Sequence, residues 1–564
     1  MARFVVSVTG TPDTLEVHDS AHTPWVLVLQ MPKADLHRLG SGSTGSLANL
    51  DSVEMKEVQR AFETPYGTQL EMGFDLELTL SAAGTSKEVG YFTIFGMRLG
   101  NTVDRLDTHV DGGVNGGFKS LTGAQSKLYP GATYSPLEVF RGSSAVPYNV
   151  CVSMCFAVLD YNHPLRLVAE KYGVSGTTIT NVYFEAREDP PSVNWATIPA
   201  GETRVYSIAF RINDRTNTKI GPATDAAEEW LWTVRGYQQY FRQRYGKPNY
   251  RSMGGFDGRP IASMNSSSGV YNATTNPRSW QDLDPTTTTG GYGYYKFANL
   301  AVSRKSLNID RVIMWAISGW HQPAYSSSHN YAFRFATGVL SLNSTATDTI
   351  RGALTQVRDD QMRQGLWWGR CTQVDDAVVW DPPAVPTIQL DPDDPYTAGL
   401  AYDEADLAIL EWGTQIIGLD LYDFQTMPRN GSRWLNILNA RYPRTLFITE
   451  QALPDIYHVL APTYIIQGGG AVNGPTWLYH YICPGSECVL QLNSFGVLTA
   501  AARSTQVAAM GYTPIAFYET TLTENTRAGG RWLELGETAI SQFRTKKPDL
   551  MWRSRAFRGR GVIR

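Results

Sequence analysis

The sequence predicts a multidomain protein, with an N-terminal antiparallel β-sandwich followed by a C-terminal α/β domain, a (β/α)8 barrel of the TIM type. Its 564 residues exceed the roughly 100 to 250 residues of a single domain. Short β segments broken by Gly, Pro, Asn and Asp occupy the first part, and strands alternating with helices occupy the second. We therefore expect a sandwich over residues 1–222, a connector helix over 223–250, a barrel over 251–543 and a basic tail over 544–564.

The N-terminal segments alternate apolar and polar residues with a period of two. This alternation is plainest in LEMGFDLELTL and RVYSIAFRI. Successive side chains of a strand point to opposite faces, so each of these segments has one apolar face to bury. Because no amphipathic helix interrupts the series, we expect roughly ten or more strands packed as a sandwich.

The connector is predicted to be a single helix over residues 225–246, DAAEEWLWTVRGYQQYFRQRYG. It opens with the N-cap candidate Asp225 and early acidic residues, and its apolar residues recur at helical spacing. Gly246, followed closely by Pro248, predicts where the helix ends.

Eight short apolar segments then predict the strands of a barrel, and about 300 residues lies within the range of lengths of that fold. The segments are RPIASMNS, DRVIMWAIS, GLWWGRCTQ, IIGLDLYDF, TLFITEQ, PTYIIQ, ECVLQLN and YTPIAFYE. An open doubly wound sheet is the alternative. No G-x-G-x-x-G or Walker loop opens the intervening helices, so a nucleotide-dependent enzyme is disfavoured and no cofactor is predicted.

Composition narrows the classes of partner. The net charge of −4 gives no reason to expect nucleic acid, and no run approaches the roughly 18 apolar residues of a membrane span. The five Cys and nine His residues lack metal-ligand spacing, so no metal is predicted. Cys483 and Cys488 are near enough in sequence to pair, although reduced, buried thiols are the expected state.

Both chain ends carry information about location. The N-terminal apolar run is too short for a secretory signal, so a cytoplasmic product is predicted. Release of the protein by cell lysis, or its inclusion in a virion, remains open. Residues 544–564 contain eight Lys or Arg residues against the single Asp549. This tail is either a solvated end or a docking segment for an acidic surface, for homo-oligomer formation or for particle assembly.

The acids at two strand ends are the candidate catalytic residues. Asp420 and Asp423 lie near the end of the fourth predicted strand, and Glu450 ends the fifth. Active sites of (β/α)8 barrels form at the carboxyl ends of the strands. Because neighbouring strands are about 4.8 Å apart, these carboxylates are predicted to face each other, as glycosidic cleavage requires.

Strand alternation gives Asp420 and Asp423 different places. The apolar phase of Ile417 and Leu419 suits the helix-facing side, so Asp420 and Tyr422 are predicted to point into the barrel. Asp423 would stand on the rim where the loop begins, and both acids remain candidates. The structural alternatives are a buried, hydrogen-bonded Asp420 and an Asp423 that caps a loop or helix.

The same alternation does not predict that Glu450 points into the barrel. Leu446 and Ile448 share its phase and look helix-facing, so a break in regularity at the strand end would be needed to bring Glu450 into the mouth. The structural alternative is a Glu in a loop or salt bridge.

Other strand ends supply polar and aromatic side chains suited to sugar hydroxyls and sugar faces. These candidate substrate-binding residues are Asn265, Trp320, His321, Arg370, Gln373, Gln491, Asn493 and Glu519.

The predicted sandwich, the connector ending in YQQYFRQRYG, the acidic fourth strand and the ITE of the fifth together resemble glycoside hydrolase barrels that carry an N-terminal sandwich. The resemblance covers nearly the whole chain in architecture and implies a nucleophile at Asp420 or Asp423 and an acid/base at Glu450. One departure concerns the seventh strand, where Gln491 and Asn493 stand in place of the third acid that related α-glycosidases often have.

Two functions follow. The first is a carbohydrate-active hydrolase that cleaves glycosidic bonds of an oligo- or polysaccharide with an Asp/Glu pair. The second is a non-catalytic structural or glycan-binding component of a virus or phage particle. The second draws on the basic tail and on the long loop rich in Ser, Thr, Gly and Asn at residues 264–295.

Overall fold

The computed structural model describes the strand and helix cores of the chain. The described residues are 4–9, 14–19, 23, 26–32, 52–62, 71–90, 98–99, 103–110, 117–120, 127–128, 138–142, 152–158, 166–175, 178–187, 195–214, 241–250, 261–264, 293–305, 310–315, 344–368, 372–375, 387–420, 422, 428–450, 456–465, 483, 485–491 and 513–517.

The N-terminal part is built from antiparallel strands. They are β1 (Phe4–Thr9), β2 (Thr14–Asp19), β3 (Val26–Pro32), β4 (Ser52–Phe62), β5 (Glu71–Ser81), β6 (Lys87–Gly90), β7 (Arg98–Leu99), β8 (Val103–Val110), β9 (Gly117–Ser120), β10 (Lys127–Leu128), β11 (Glu138–Gly142), β12 (Val152–Val158), β13 (Arg166–Ser175), β14 (Thr178–Arg187), β15 (Trp195–Ile198) and β16 (Thr203–Asp214).

Most of these strands join one ten-stranded sheet in the order β10-β13-β14-β8-β11-β12-β16-β5-β4, with β9 paired to β8. A four-stranded sheet, β1-β2-β3-β7, and the pair β15-β6 complete this part. The two segments with the clearest alternation, β5 and β16, are direct neighbours in continuous register from Thr203↔Ser81 to Asn213↔Glu71. The antiparallel sheets agree with the predicted all-β class, and their packing as a sandwich stays a prediction.

The connector ends where the sequence indicated. Residues 241–245 are helical, and Gly246 follows with a φ of 85°. That left-handed conformation lets the Gly246 N–H donate to the Arg242 carbonyl at 3.1 Å, which closes the helix. The chain then docks on the barrel, because the Asn249 N–H donates to the Val459 carbonyl at 2.8 Å. Residues 225–240 lie outside the described part of the chain.

The C-terminal part contains a closed barrel of eight parallel strands, in the order β17-β18-β19-β22-β23-β24-β25-β26. These strands and a hairpin, β20-β21, are β17 (Ile261–Met264), β18 (Arg311–Trp315), β19 (Arg363–Trp368), β20 (Gln373–Asp375), β21 (Thr387–Gln389), β22 (Ile416–Leu419), β23 (Leu446–Glu450), β24 (Thr463–Ile465), β25 (Cys488–Gln491) and β26 (Thr513–Phe517). Each of the eight predicted strand segments contributes one barrel strand.

Helices follow the first five barrel strands. They are α1 (Gly293–Arg304), α2 (Ser344–Asp359), α3 (Pro395–Asp406), α4 (Pro428–Arg441) and α5 (Tyr457–Leu460). This parallel β/α arrangement agrees with the predicted TIM-type barrel. The helix predicted between β25 and β26 lies outside the described residues. No helix in the described part of the chain is long and apolar enough to cross a membrane.

Helix α3 shows how local sequence sets an element. Asp394 is its N-cap, accepting hydrogen bonds from the Tyr396 and Thr397 N–H groups, with Pro395 in the first turn. The bond from the Thr397 N–H, followed by that from Tyr396, lowers the pKa of the Asp394 carboxyl. The helix continues into a π-helical turn, Leu407–Glu411, before β22 begins.

Cys488 begins β25, and Cys483 lies in the segment before that strand. Cys483 and Cys488 are both buried and are not joined in a disulfide, which confirms the reduced state predicted for this pair. Burial raises the pKa of the Cys488 thiol to about 12, despite a weak hydrogen bond from the Thr463 hydroxyl. These thiols therefore serve as small apolar side chains in the packing.

Candidate functional site

The strand register places Asp420 and Glu450 side by side at the carboxyl end of the barrel. Strands β22 and β23 pair in parallel from Ile416↔Leu446 to Leu419↔Thr449. The next positions along this register are Asp420 and Glu450. Catalytic groups of barrel enzymes lie at this edge, so the two acids occupy the expected place.

The inward direction is defined by an aromatic contact across the barrel. The rings of Trp367 on β19 and Tyr464 on β24 are 4.9 Å apart in an edge-to-face arrangement. Strands β22 and β23 separate β19 from β24. Because two strands lie between them, the two rings can reach each other only through the barrel interior, so Trp367 and Tyr464 both point inward.

The Trp367 indole passes over Gly418 of β22. A Cβ atom at Gly418 would overlap the indole ring, so only glycine leaves room for this path. Gly418 therefore belongs to the inward phase, and Asp420, two residues later, shares it. The prediction that Asp420 points into the barrel is supported by these contacts.

Two hydrogen bonds fix Asp420 directly. The Trp367 indole Nε1–H donates to Asp420 Oδ1 at 3.3 Å, and the Asp420 backbone N–H donates to the Trp368 carbonyl at 2.7 Å. Asp420 Oδ2 is buried and has no hydrogen-bond partner among the described residues. The carboxylate is thus held through Oδ1, and Oδ2 is a buried acceptor that no other described residue contacts by a hydrogen bond.

Glu450 faces the barrel interior without the irregularity that its strand was expected to need. Residues paired across parallel strands point to the same side of the sheet. Ile448 pairs with Gly418 and Glu450 pairs with Tyr464, both of them inward positions. The expectation that the phase of Ile448 faces the helices is therefore wrong, because the packed interior of a small barrel is apolar too.

The opposite phase of β23 contacts the helix layer. The ring of Phe447 lies 6.3 Å from that of Tyr442, the residue after α4. Tyr422, which alternation also placed inward, contacts the helices as well, since its hydroxyl donates to the Gly431 carbonyl of α4 at 2.8 Å. The regular alternation of β22 ends at Asp420.

Both acids are removed from solvent. Asp420 and Glu450 are each 2% exposed. A carboxylate in such surroundings interacts strongly with any charge that forms next to it, because little water screens the interaction. The arrangement suits the stabilisation of a cationic transition state between two closely spaced acids.

The other predicted site residues divide into two groups. Gln373 lies half-buried in β20, within the β19–α3 connection, and Gln491 ends β25 at the carboxyl edge of the barrel. The remaining candidates lie outside the described residues. They are Asp423, Asn265, Trp320, His321, Arg370, Asn493 and Glu519.

Sequence reasoning missed Gly418, Trp367 and Tyr464 as parts of the site. The signal available was weak, namely a glycine within a short apolar strand and two adjacent tryptophans in LWWGR. A glycine inside a strand often marks a close approach by another group, and here that group is the indole.

A search of protein-family models found no match, and no curated protein matched either. Among solved structures, the galactosidase domain of an alpha-galactosidase-sucrose kinase matches with a TM-score of 0.50 and 11% identity, covering 96% of this chain and 70% of that one. A GH36 alpha-galactosidase from Geobacillus stearothermophilus has a TM-score of 0.49 and 11% identity, with 94% and 70% coverage. A beta-arabinopyranosidase has a TM-score of 0.43 and 9% identity, with 94% and 84% coverage. The first match shows that the chain shares a glycosidase fold over nearly all its length.

Proposed function

We propose that this protein is a glycoside hydrolase in which Asp420 and Glu450 form the catalytic pair. The observation that carries the proposal is the register of β22 and β23, which makes these acids inward-facing neighbours at the carboxyl end of the barrel. Backbones of adjacent strands are about 4.8 Å apart. That spacing suits the carboxyl separation of about 5 to 5.5 Å found in retaining glycosidases better than the roughly 6.5 to 9.5 Å of inverting ones.

Asp420 is the proposed nucleophile. Its Oδ1 accepts the Trp367 N–H, while Oδ2 has no partner among the described residues and can attack the anomeric carbon. Attack forms a glycosyl-ester bond to Asp420 as the bond to the leaving oxygen breaks. Glu450 donates its proton to that oxygen, then accepts one from the water that hydrolyses the ester.

The substrate class is proposed from the fold neighbour. The solved structure that matches with a TM-score of 0.50 is an alpha-galactosidase domain. An α-galactoside is therefore the first substrate to test, followed by other α- and β-glycosides. Closely spaced acids predict that the released sugar keeps its anomeric configuration, which NMR of the early product would show.

The test is hydrolysis of a panel of aryl glycosides and oligosaccharides by the intact protein and by Asp420→Asn, Glu450→Gln and Asp423→Asn. Asp348→Asn is the control, because this acid pairs with Arg351 on an exposed helix face. We expect Asp420→Asn and Glu450→Gln each to lose about a hundredfold or more in kcat/KM, while the control is unchanged.

A leaving-group comparison separates the two roles. Glycosyl fluorides need little protonation of the leaving group, so Glu450→Gln should retain far more activity on them than Asp420→Asn does. Cleavage that survives both substitutions would refute the assignment. Loss confined to Asp423→Asn would move the nucleophile to the rim. Glycan binding by a wild-type protein that cleaves nothing in the panel would favour the second function, a non-catalytic glycan-binding component.

A further inference from the structure

We propose that Trp367 is a positioning residue for the nucleophile: its indole crosses the barrel interior, binds one oxygen of Asp420 and leaves the other oxygen directed at the substrate. This inference deepens the proposed function and rests on it. The carrying observation is the hydrogen bond from Trp367 Nε1 to Asp420 Oδ1 at 3.3 Å, in a buried environment.

The indole is fixed on several sides. Its own exposure is 1%, the Tyr464 ring packs against it edge to face at 4.9 Å, and it lies over Gly418. A side chain held in this way cannot follow a carboxylate that rotates. Rotation of Asp420 about its terminal torsion would therefore break the N–H···O contact, which ties the orientation of the carboxyl plane to a rigid group.

The chemistry of the indole suits this task. Tryptophan has one donor and no acceptor, so it can hold a carboxylate oxygen without removing a proton from the acid pair. Preorganised donors of this kind need no rearrangement when charge changes during the reaction.

Gly418 is evidence that the indole position has a use beyond filling the core. Glycine inside a strand weakens the strand, because it lacks a side chain to pack and loses more backbone entropy on folding. Any other residue at Gly418 would collide with the indole. The strand beneath Asp420 therefore carries a destabilising residue that permits the contact between Trp367 and Asp420.

The kinetic test uses Trp367→Phe, which keeps an aromatic ring and removes the N–H donor. We expect kcat to fall about tenfold with KM changed less than twofold, since one hydrogen bond to the nucleophile is lost. Trp412→Phe, a substitution at another buried tryptophan outside the acid pair, controls for the smaller ring. Gly418→Ala should give the same kcat defect with Trp367 and Asp420 both intact, because the added methyl displaces the indole.

A readout independent of activity is the indole N–H resonance in protein labelled with ¹⁵N-tryptophan. The signal that is missing from the spectrum of Trp367→Phe is assigned to Trp367. If that variant is insoluble, the signal that shifts in both Asp420→Asn and Gly418→Ala is assigned to Trp367 instead. We expect the Trp367 signal to move upfield in Asp420→Asn, as a carboxylate acceptor is exchanged for a weaker amide. Asp348→Asn should leave it in place.

The outcomes separate the two proposals. The positioning role is overturned if the Trp367 Nε1–H signal does not shift in Asp420→Asn, or if no indole signal shifts in both Asp420→Asn and Gly418→Ala. This holds whether or not the protein is an enzyme. Equal losses of kcat in Trp367→Phe and Trp412→Phe would also overturn the positioning role. A responsive signal in a protein that cleaves no glycoside would retain the contact and reject the hydrolase function.

Discussion

A cluster of side chains around Asp406, which we call the clamp, joins α3 to α4, and Asp406→Asn tests how much it contributes to stability. Asp406 Oδ1 accepts from the Tyr442 hydroxyl at 2.7 Å, and Oδ2 accepts from Arg441 Nη2 at 2.6 Å. The Arg441 guanidinium also lies 4.8 Å from the centre of the Tyr402 ring. Because α3 precedes β22 and α4 follows it, these contacts join the two helices that flank the strand.

The expected loss is about 2 kcal/mol at pH 7. The ion pair with Arg441 is partly exposed, since the Asp406 and Arg441 side chains are 32% and 45% accessible, and such pairs contribute about 0.2 to 1 kcal/mol. The hydroxyl of the half-buried Tyr442 donates to a charged acceptor, a bond worth about 1.5 to 3 kcal/mol. An amide retains part of this second bond, so the sum lies below the full total.

The loss should depend on pH with a defined sign. The hydrogen bond from Arg441, and after it the one from Tyr442, lowers the pKa of the Asp406 carboxyl. A lowered folded-state pKa stabilises the protein above the ordinary carboxyl value of about 3.9, and this stabilisation is lost as pH falls through the folded value. Wild type and Asp406→Asn should therefore differ most at pH 7 and converge as the pH falls below 4.

Urea denaturation followed by tryptophan fluorescence at pH 7, 5 and 3.5 measures this difference as a shift in midpoint. Asp348→Asn is the matched control, because its carboxylate joins an exposed pair with Arg351 in one helix, and its effect should stay below about 0.5 kcal/mol. A double-mutant cycle with Tyr442→Phe should give a coupling near 1 kcal/mol. Equal effects at Asp406 and Asp348, or a difference that is the same at pH 7 and pH 3.5, would refute the clamp.

Two further predictions concern packing. Gly365→Ala should destabilise the barrel by about 1 to 3 kcal/mol, because its Cβ would lie 2.6 Å from the Ile416 carbonyl oxygen. Gly399→Ala, in a helix with nothing within 4 Å of the new methyl, should instead stabilise by about 0.5 to 1 kcal/mol. Chemical denaturation of both variants checks the contrast, which a shared sign would contradict. Cys488, whose thiol pKa burial raises to about 12, should resist iodoacetamide at pH 8 in the folded protein and react in urea. Mass spectrometry of the alkylated peptides measures this, and rapid labelling of the native protein would count against the buried thiol.

The barrel strands were predictable because each is a short apolar run bounded by turn residues, and the spacing between runs leaves room for a helix. The segment IIGLDLYDF became β22, and TLFITEQ became β23. The end of the connector was equally predictable, since a glycine before a proline marks a helix C-terminus and Gly246 adopts the required positive φ. These signals are local in sequence.

The sequence of β23 alone could not predict whether Glu450 points into the barrel or towards the helices. Alternation separates two faces but does not say which one is interior when both are apolar, and Leu446 and Ile448 are equally suited to either. Pairing with Gly418 and Tyr464 decides the question, and that information lies on other strands. Trp367 was missed for the same reason, because its partners are 51 and 97 positions away in sequence, at Gly418 and Tyr464.

The residue types in the barrel interior depend on one another. An indole that reaches from β19 to β24 requires a glycine at position 418, and it brings a donor to Asp420 while packing against Tyr464, the register partner of Glu450. An apolar residue at position 420 would fill this space at lower cost than a buried carboxylate. Together, the glycine, the indole donor and the two adjacent acids at the carboxyl end of the barrel reduce its stability. A site that uses the acids would explain why the chain keeps this combination.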